Sequence, residues 1–505
     1  MKKKKIFSAS SQKKKRFSDP FFESEGGDNK RRRKFAGDDD IESSDDDKEY
    51  LSGGEGGGEE DEEDNEVEET AAEKKKRLAD AYLEKIRAIA SRDEEDTQSG
   101  DDERDREEIE GKRDSLVAKI LQQEQLEESG RIRRAIASRI QTPEPGEGFR
   151  VLLKHRQAVT AVALSEDDLK GFSASKDGAI VSWDVENGKK EKYSWPSDEV
   201  LKSHGAKDPQ GRASKHSKHV LALAISTDGR YMASGGMDRH VHLWDVRTRE
   251  HIQTFPGHKG PVSCLTFRQG SSELFSGSFD RSVKIWNVED RAYVNTLFGH
   301  QAEVLTIDSL RKERVLTVGR DRTMHLFKVP EESQFIFRAS ASSLECCCFI
   351  NNDEFLSGSS DGSIEHWTAK KKKPIHIVKN AHTSLIEQRS TGMLSNGDIG
   401  NVALNPESVS SSALSWVSSV AVCRSSDLAA SGAGNGLIRL WKVEGESKGI
   451  CPLFEIPLAG FVNSLAFAKS GRFLVAGVGK EPRLGRWGRI ANAQNGVAIH
   501  SFKHT

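Results

Sequence analysis

From about residue 150 to the end, apolar residues come in runs of four to six, with polar positions between them or directly flanking them. Segments such as Ser282, Val283, Lys284, Ile285 alternate with the period of two expected of a half-buried strand, and Asp-Gly, Asp-Arg and Gly-His pairs separate them as turns. The pattern predicts short antiparallel strands in repeated meanders. Before residue 142 the period changes. Leu78, Tyr82, Ile86 and Ile89 fall at helical spacing among Lys and Arg, and a second helical stretch over about 104–141 carries Ile109, Leu116, Ile120, Leu126, Ile132, Ile136 and Ile140 before Pro143 and Pro145 close it. That apolar stripe needs a partner, either the strand-rich region itself or another protein or RNA.

The strand-rich part is periodic at a longer scale. Trp183, Trp244, Trp286, Phe327, Trp367, Trp441 and Trp487 mark seven beats. Six residues before each stands Asp177, Asp238, Asp280, Asp321, Asp361, Asn435 or Glu481. Ten residues before each stands Ser173, Ser234, Ser276, Thr317, Ser357, Ser431 or, out of pattern, Gly477. These offsets match the blade of a WD40 β-propeller. There a Ser or Thr on strand b, an Asp at the b–c turn, a Trp on strand c and a His on the preceding d–a loop form one hydrogen-bonded set. His155, His219, His258, His300 and His382 are the candidate histidines. One blade cannot bury both faces, so seven predict a closed ring.

The fold class is therefore all-β, a seven-bladed WD40 propeller over 148–505, preceded by a disordered charged tail over 1–69 and a helical segment over 70–142. Polar insertions near 193–217 and 383–415 read as surface loops. FRVLLKH near 149 and NGVAIHSF near 495 compete for the outer strand that closes the seventh blade.

Composition adds a segregation of charge. The net charge of −3 hides basic clusters at Lys2 to Lys5, Lys13 to Arg16 and Lys30 to Lys34, then an acidic block from GDDDIESSDDDKEY through GGGEEDEEDNEVEE. The basic clusters read as a nuclear import signal for an import receptor, or as a nucleic-acid arm. The acidic block has too little apolar surface to fold alone, and Ser43 and Ser44 stand before aspartates as candidates for acid-directed phosphorylation. Six cysteines without a CxxC pair, three of them at Cys346 to Cys348 on a predicted inner strand, argue against a disulfide framework. There is no apolar signal-peptide core and no run of about 18 apolar residues for a membrane span, so a soluble intracellular protein is expected.

Sevenfold recurrence makes the Ser, His and Asp residues structural, because nucleophilic catalysis needs one singular site with an oxyanion hole. His204, His216 and His219 lack the convergent partners of a metal site, and no phosphate-cradling GxxxxGK[ST] is present; no enzyme activity, metal or cofactor is expected. The informative charges lie at the b–c turns. Lys176-Asp177, Asp238-Arg239, Asp280-Arg281 and Arg320-Asp321-Arg322, with Lys480, Arg483, Arg486 and Arg489 in GKEPRLGRWGRI, aim cations at one rim; Arg281, Arg320, Arg322 and the four of the seventh blade are the candidate RNA contacts. Such a rim attracts a phosphate backbone, and Arg also stacks on unpaired bases.

KKRLADAYLEKIR, HSKHVLALAISTDGRYMASG, FDRSVKIWNVED, TLFGHQAEV, VPEESQFIF and the ending IPLAGFVNSLAFAKSGRFLVAGVGKEPRLGRWGRI resemble the family of WD-repeat subunits of the U3 small nucleolar ribonucleoprotein, over about 70–505. The resemblance implies a nucleolar, non-enzymatic scaffold that binds the box B/C element of U3 RNA beside a small kink-turn-binding protein. With other small-subunit processome proteins it would support early cleavages of ribosomal RNA precursors. The competing reading is a protein-only adaptor, such as a ubiquitin-ligase substrate receptor.

Overall fold

Short strands separated by tight turns fold here into seven four-stranded antiparallel sheets. The computed structural model describes residues 133–144, 146–206, 218–339, 343–382, 416–444 and 449–504, with Ala118, Gln122 and Leu126 in helical conformation before them. The charged tail, the stripe from Leu78 to Ile89 and the insertion at 383–415 lie outside the described residues.

Blades 1 to 6 are meanders in chain order, spanning 159–192, 220–255, 262–297, 304–338, 344–378 and 417–457. The first strand of each, strand a, packs against the strands a of its neighbours around a central channel. Blade 7 is composite. Its strands a, b and c are Phe461–Phe467, Phe473–Gly479 and Gly496–Ser501, and its outer strand d is Arg150–Lys154, from the opposite end of the ring's sequence. Both candidates for the closing strand thus belong to blade 7, NGVAIHSF as strand c and FRVLLKH as strand d.

This arrangement corrects the seventh beat. Leu274 pairs with Trp286 in blade 3, and the equivalent pair in blade 7 is Leu474 with His500. His500 is buried, its Nδ1 donates to the Gly148 carbonyl at 3.2 Å, and it occupies the aromatic position. Trp487 instead lies in the long b–c loop, and Glu481 is not a turn aspartate. Gly477 corresponds to Gly277, so the strand-b serine position is Ala476.

A repeated contact joins the blades. On strand b, Gly235, Gly277, Gly358, Gly432 and Gly477 leave room for the first valine of the next strand a; a Cβ on Gly432 would lie 2.4 Å from Val462 Cγ1. Beside this contact, strand-a side chains donate to the next blade's backbone. Thr160 reaches Val220 O at 2.8 Å, Ser263 reaches Val304 O at 2.5 Å, and Thr306 reaches Glu345 O at 2.6 Å. Ser418 reaches Val462 O at 2.6 Å, and Asn463 Nδ2 closes the circle on Val159 O at 2.8 Å.

Inside the blades the expected polar sets assemble. In blade 3, Trp286 Nε1 donates to Ser276 Oγ at 2.8 Å, and His258 lies 2.8 Å from that hydroxyl and 2.9 Å from Asp280. Burial pushes the Asp280 carboxyl up, but hydrogen bonds from His258, Ser282 and the Lys259 amide outweigh it and hold the group well below the usual carboxylate range. Blade 4 keeps His300, Thr317 and Asp321 with the buried Phe327 in place of Trp. In blade 6, Trp441 and His382 both meet Ser431 at 2.8 Å, while the Asn435 amide donates to the His382 carbonyl at 2.6 Å. In blade 1, His155 meets Ser173 at 3.0 Å, but Trp183 Nε1 has no partner.

Two segments depart from expectation. The insertion near 193 is partly core: Tyr193 is buried, Trp195 Nε1 donates to Gly178 O at 2.7 Å, and helix α1 (Asp198–Ser203) follows, capped by Ser197. Residues 133–144 are turn and isolated bridge rather than helix. Asp427 ties this segment to blade 6, its carboxylate accepting the Ile136 and Ala137 amides at 2.8 and 2.9 Å, while Ile136 packs beside Cys423. The tract Cys346 to Cys348 does lie on strand a of blade 5, and all six cysteines are free.

Ser276→Ala removes a partner from both Trp286 and His258, and is expected to cost about 1–3 kcal/mol. Ser173→Ala, where the indole is already unpaired, is expected to cost less; chemical denaturation of both variants checks the order. Stability also depends on pH. Burial first, then Arg439, pushes His382 down to about 3; burial, then His242 and His204, pushes His251 down to about 3; and burial, then His300, pushes His325 down to about 4. Unfolded, each returns to about 6.5, so between these limits the unfolded chain binds more protons and stability rises with pH. The Tm is expected to fall as pH is lowered from about 6.5 towards 4, measured by thermal unfolding across that range.

Candidate nucleic-acid interface

The b–c turns share one construction. The turn aspartate caps the backbone two residues on, as Asp280 does for the Ser282 amide at 3.0 Å and Asp321 for the Thr323 amide at 3.1 Å. The residue between takes the left-handed conformation. In blades 1, 5 and 6 it is Gly178, Gly362 and Gly436, with φ of 83°, 81° and 83°. In blades 2, 3 and 4 it is Arg239, Arg281 and Arg322, with φ of 69°, 71° and 61°. A residue with a Cβ there costs on the order of 1 kcal/mol, yet three successive blades place arginine where glycine is easier. Arg281 and Arg322 are exposed; Arg320, half exposed, has only a loose surface pair with Glu303 at 3.9 Å.

Blade 7 contributes a longer b–c loop over 480–495. Its base is pinched where the Lys480 amide donates to Asn495 Oδ1 at 2.8 Å and the Ile490 amide to Lys480 O at 2.9 Å. Arg483 turns inward. Its Nη2 donates to Leu305 O at 2.8 Å and its Nη1 to Ser263 O at 3.4 Å, so the guanidinium crosses the ring centre to the strands a of blades 4 and 3. From blade 1, the buried Lys176 donates to Gly485 O at 2.8 Å and pairs with Glu481 at 3.6 Å. Burial lowers the Lys176 pKa, and Glu481 opposes that shift. The loop therefore covers the channel on the b–c side, anchored to blades 1, 3 and 4.

The seven cations read from the sequence thus separate by role. Arg281, Arg320, Arg322, Arg486 and Arg489 are solvent-facing on the rim that carries the b–c turns, Arg486 within 3.6 Å of Glu481. Lys480 is half-buried at the loop base, and Arg483 is engaged with backbone carbonyls. Of the other turn cations, Arg239 is exposed on the same rim, while Lys176, beside Asp177, is buried under the blade-7 loop. Trp487, expected as a blade residue, lies in that loop.

Donor atoms of His300, Asp321 and His325 lie within 4.8 Å of one another. All are engaged within the blade, His300 with Thr317 and Asp321, and His325 with Gln334 at 2.9 Å and Thr323 at 3.0 Å. The trio is accounted for by the blade's own network.

The family model described as WD domain, G-beta repeat matches residues 208–245, 249–287, 331–368 and 408–442. The U3 snoRNP-associated protein-like EMB2271 of Arabidopsis thaliana is 55% identical over 427 residues, covering 85% of this chain and 84% of the relative. The U3 small nucleolar RNA-interacting protein 2 of Mus musculus is 39% identical, covering 84% of this chain and 80% of the relative. The solved structure titled "Crystal structure of RRP9 WD40 repeats" is 39% identical with a TM-score of 0.61, covering 72% of this chain and all of that one (100%). With a seven-bladed ring and relatives of this identity across most of its length, the chain belongs to the family of U3 snoRNP-associated WD40 propeller proteins.

Proposed function

We propose that this chain is a non-catalytic RNA-binding scaffold of the U3 small nucleolar ribonucleoprotein, which holds the box B/C element of U3 RNA and supports early processing of ribosomal RNA precursors for the small subunit. Its place of work is the nucleolus, reached through an import receptor that reads the basic clusters before residue 35. A small kink-turn-binding protein and other processome proteins are its neighbours. The observation that carries the reading is the run of left-handed arginines in blades 2 to 4 beside the blade-7 loop, all on one rim. Exposed arginines repeated at one turn position of successive blades make a cationic rim that suits a polyanion. The names of the relatives support the choice of RNA. Arg281, Arg320, Arg322, Lys480, Arg486 and Arg489 contact the RNA in this reading, and Arg483 serves by fixing the loop.

Ultraviolet crosslinking and sequencing of bound RNA from nuclear extract tests it. The intact chain is expected to enrich U3 RNA at box B/C, and Ala at Arg486 and Arg489 together to reduce the enrichment. Absence of enrichment, with protein partners kept after nuclease, would establish a protein-only adaptor instead. A second test separates function from stability. Arg281→Gly and Arg322→Gly relieve left-handed strain, so the Tm is expected to hold or rise, while RNA affinity falls and the log-log salt dependence flattens by roughly 0.7–0.9 per lost phosphate contact.

A further inference from the structure

Trp487 is 58% exposed, against at most 2% for the indoles of Trp183, Trp244, Trp286, Trp367 and Trp441. Those five are blade residues, and Trp487 is not. An exposed indole loses much of its transfer free energy to water, so its position calls for another account. It is also held in place. Its ring packs edge-on against Trp416, with centroids 4.7 Å apart at 82°, and against Phe461 at 6.1 Å and 74°. Gly485, with φ of 85°, turns the chain beneath it, and a Cβ there would approach Trp487 Cδ1 to 3.0 Å. Arg483 and Lys176 fasten the same loop to three other blades.

Immediately beside the ring stand Arg486 and Arg489, both exposed. A rigid aromatic surface flanked by exposed cations is the arrangement that takes an unpaired base, the ring stacking on the base while the cations meet its phosphates. The two arginines that flank the ring in sequence supply the positive charge that a nucleic-acid backbone requires.

We propose that Trp487 is a stacking platform for one unpaired RNA base; this rests on the RNA-binding reading above and adds to it a residue that reads bases rather than phosphates. The full chain is titrated with a U3 RNA fragment carrying the box B/C element, comparing W487L, W487F and the Arg486→Ala, Arg489→Ala double variant across a salt series. Leucine keeps apolar packing on Trp416 and Phe461 but has no π face. W487L is expected to bind roughly tenfold more weakly with an unchanged salt slope, and W487F to recover most of the loss. The double arginine variant is expected to flatten the slope instead. Ultraviolet irradiation of the wild-type complex should leave a nucleotide adduct on residue 487.

Equal binding by W487L and wild type would overturn the platform and leave RNA binding standing. Equal loss in W487L and W487F would also overturn it, since stacking would not be what the ring supplies. A wild-type chain that binds no U3 fragment would overturn the RNA reading and the platform together. If W487L loses a nuclease-resistant protein partner at unchanged RNA affinity, the ring serves a protein contact and the proposal fails.

Discussion

The close approach of each blade's second strand to the next blade's first strand is the constraint on which the ring rests. At five junctions a glycine on strand b admits the neighbour's valine, so that the two sheets interlock through the apolar side chains packed between them. Blades that twist against each other at this spacing have an angular step set by their contact, and the ring closes when the last step meets the first. The side-chain donors of Thr160, Ser263, Thr306, Ser418 and Asn463 repeat the connection with hydrogen bonds to backbone that would otherwise face the channel unpaired. The core is thus not one mass but a circle of interfaces, each buried between two sheets.

That circle explains how the exposed face is made. Strands fixed at both edges leave their connecting turns little freedom, and the capped Asp-X turn sends residue X outwards at the same point of successive blades. Glycine suffices for the turn, so arginine at that point is chemistry added to geometry. The blade-7 loop uses the same rim differently. It sets Arg483 on carbonyls across the channel and receives Lys176 of blade 1 on its own backbone, and with those anchors it presents Arg486, Trp487 and Arg489 from a fixed position.

Much of this was legible in the residues, because a hydrogen-bonded set at constant offsets leaves a periodic trace that tolerates single losses. Phe327 and Asn435 break the letter of the repeat and keep its packing. Blade 7 was misread for a physical reason. Its polar set is absent, so no offset distinguishes His500 from a nearby tryptophan, and Trp487 happened to stand ten residues after Gly477. The failed serine at that offset was the available warning. Long-range contacts left no trace at all: nothing around Arg483 states that it ends on Ser263 and Leu305, and nothing around Asp427 states that it accepts the amides of residues 136 and 137. The basic rim was legible as charge, but which cations face water depended on those contacts.

Blade 7 joins Arg150–Lys154 to Gly496–Ser501, so its outer strand is synthesised before the other blades and its partner after them. During translation the first strand has no sheet to join, and six blades emerge while the ring is still open. A chain cut short before residue 496 keeps an unpaired edge at each end of the array and cannot hold the channel-covering loop between two anchored strands. Pairing of these strands closes the ring, and it holds the loop that carries Arg486 and Trp487 between the second and third strands of a completed blade.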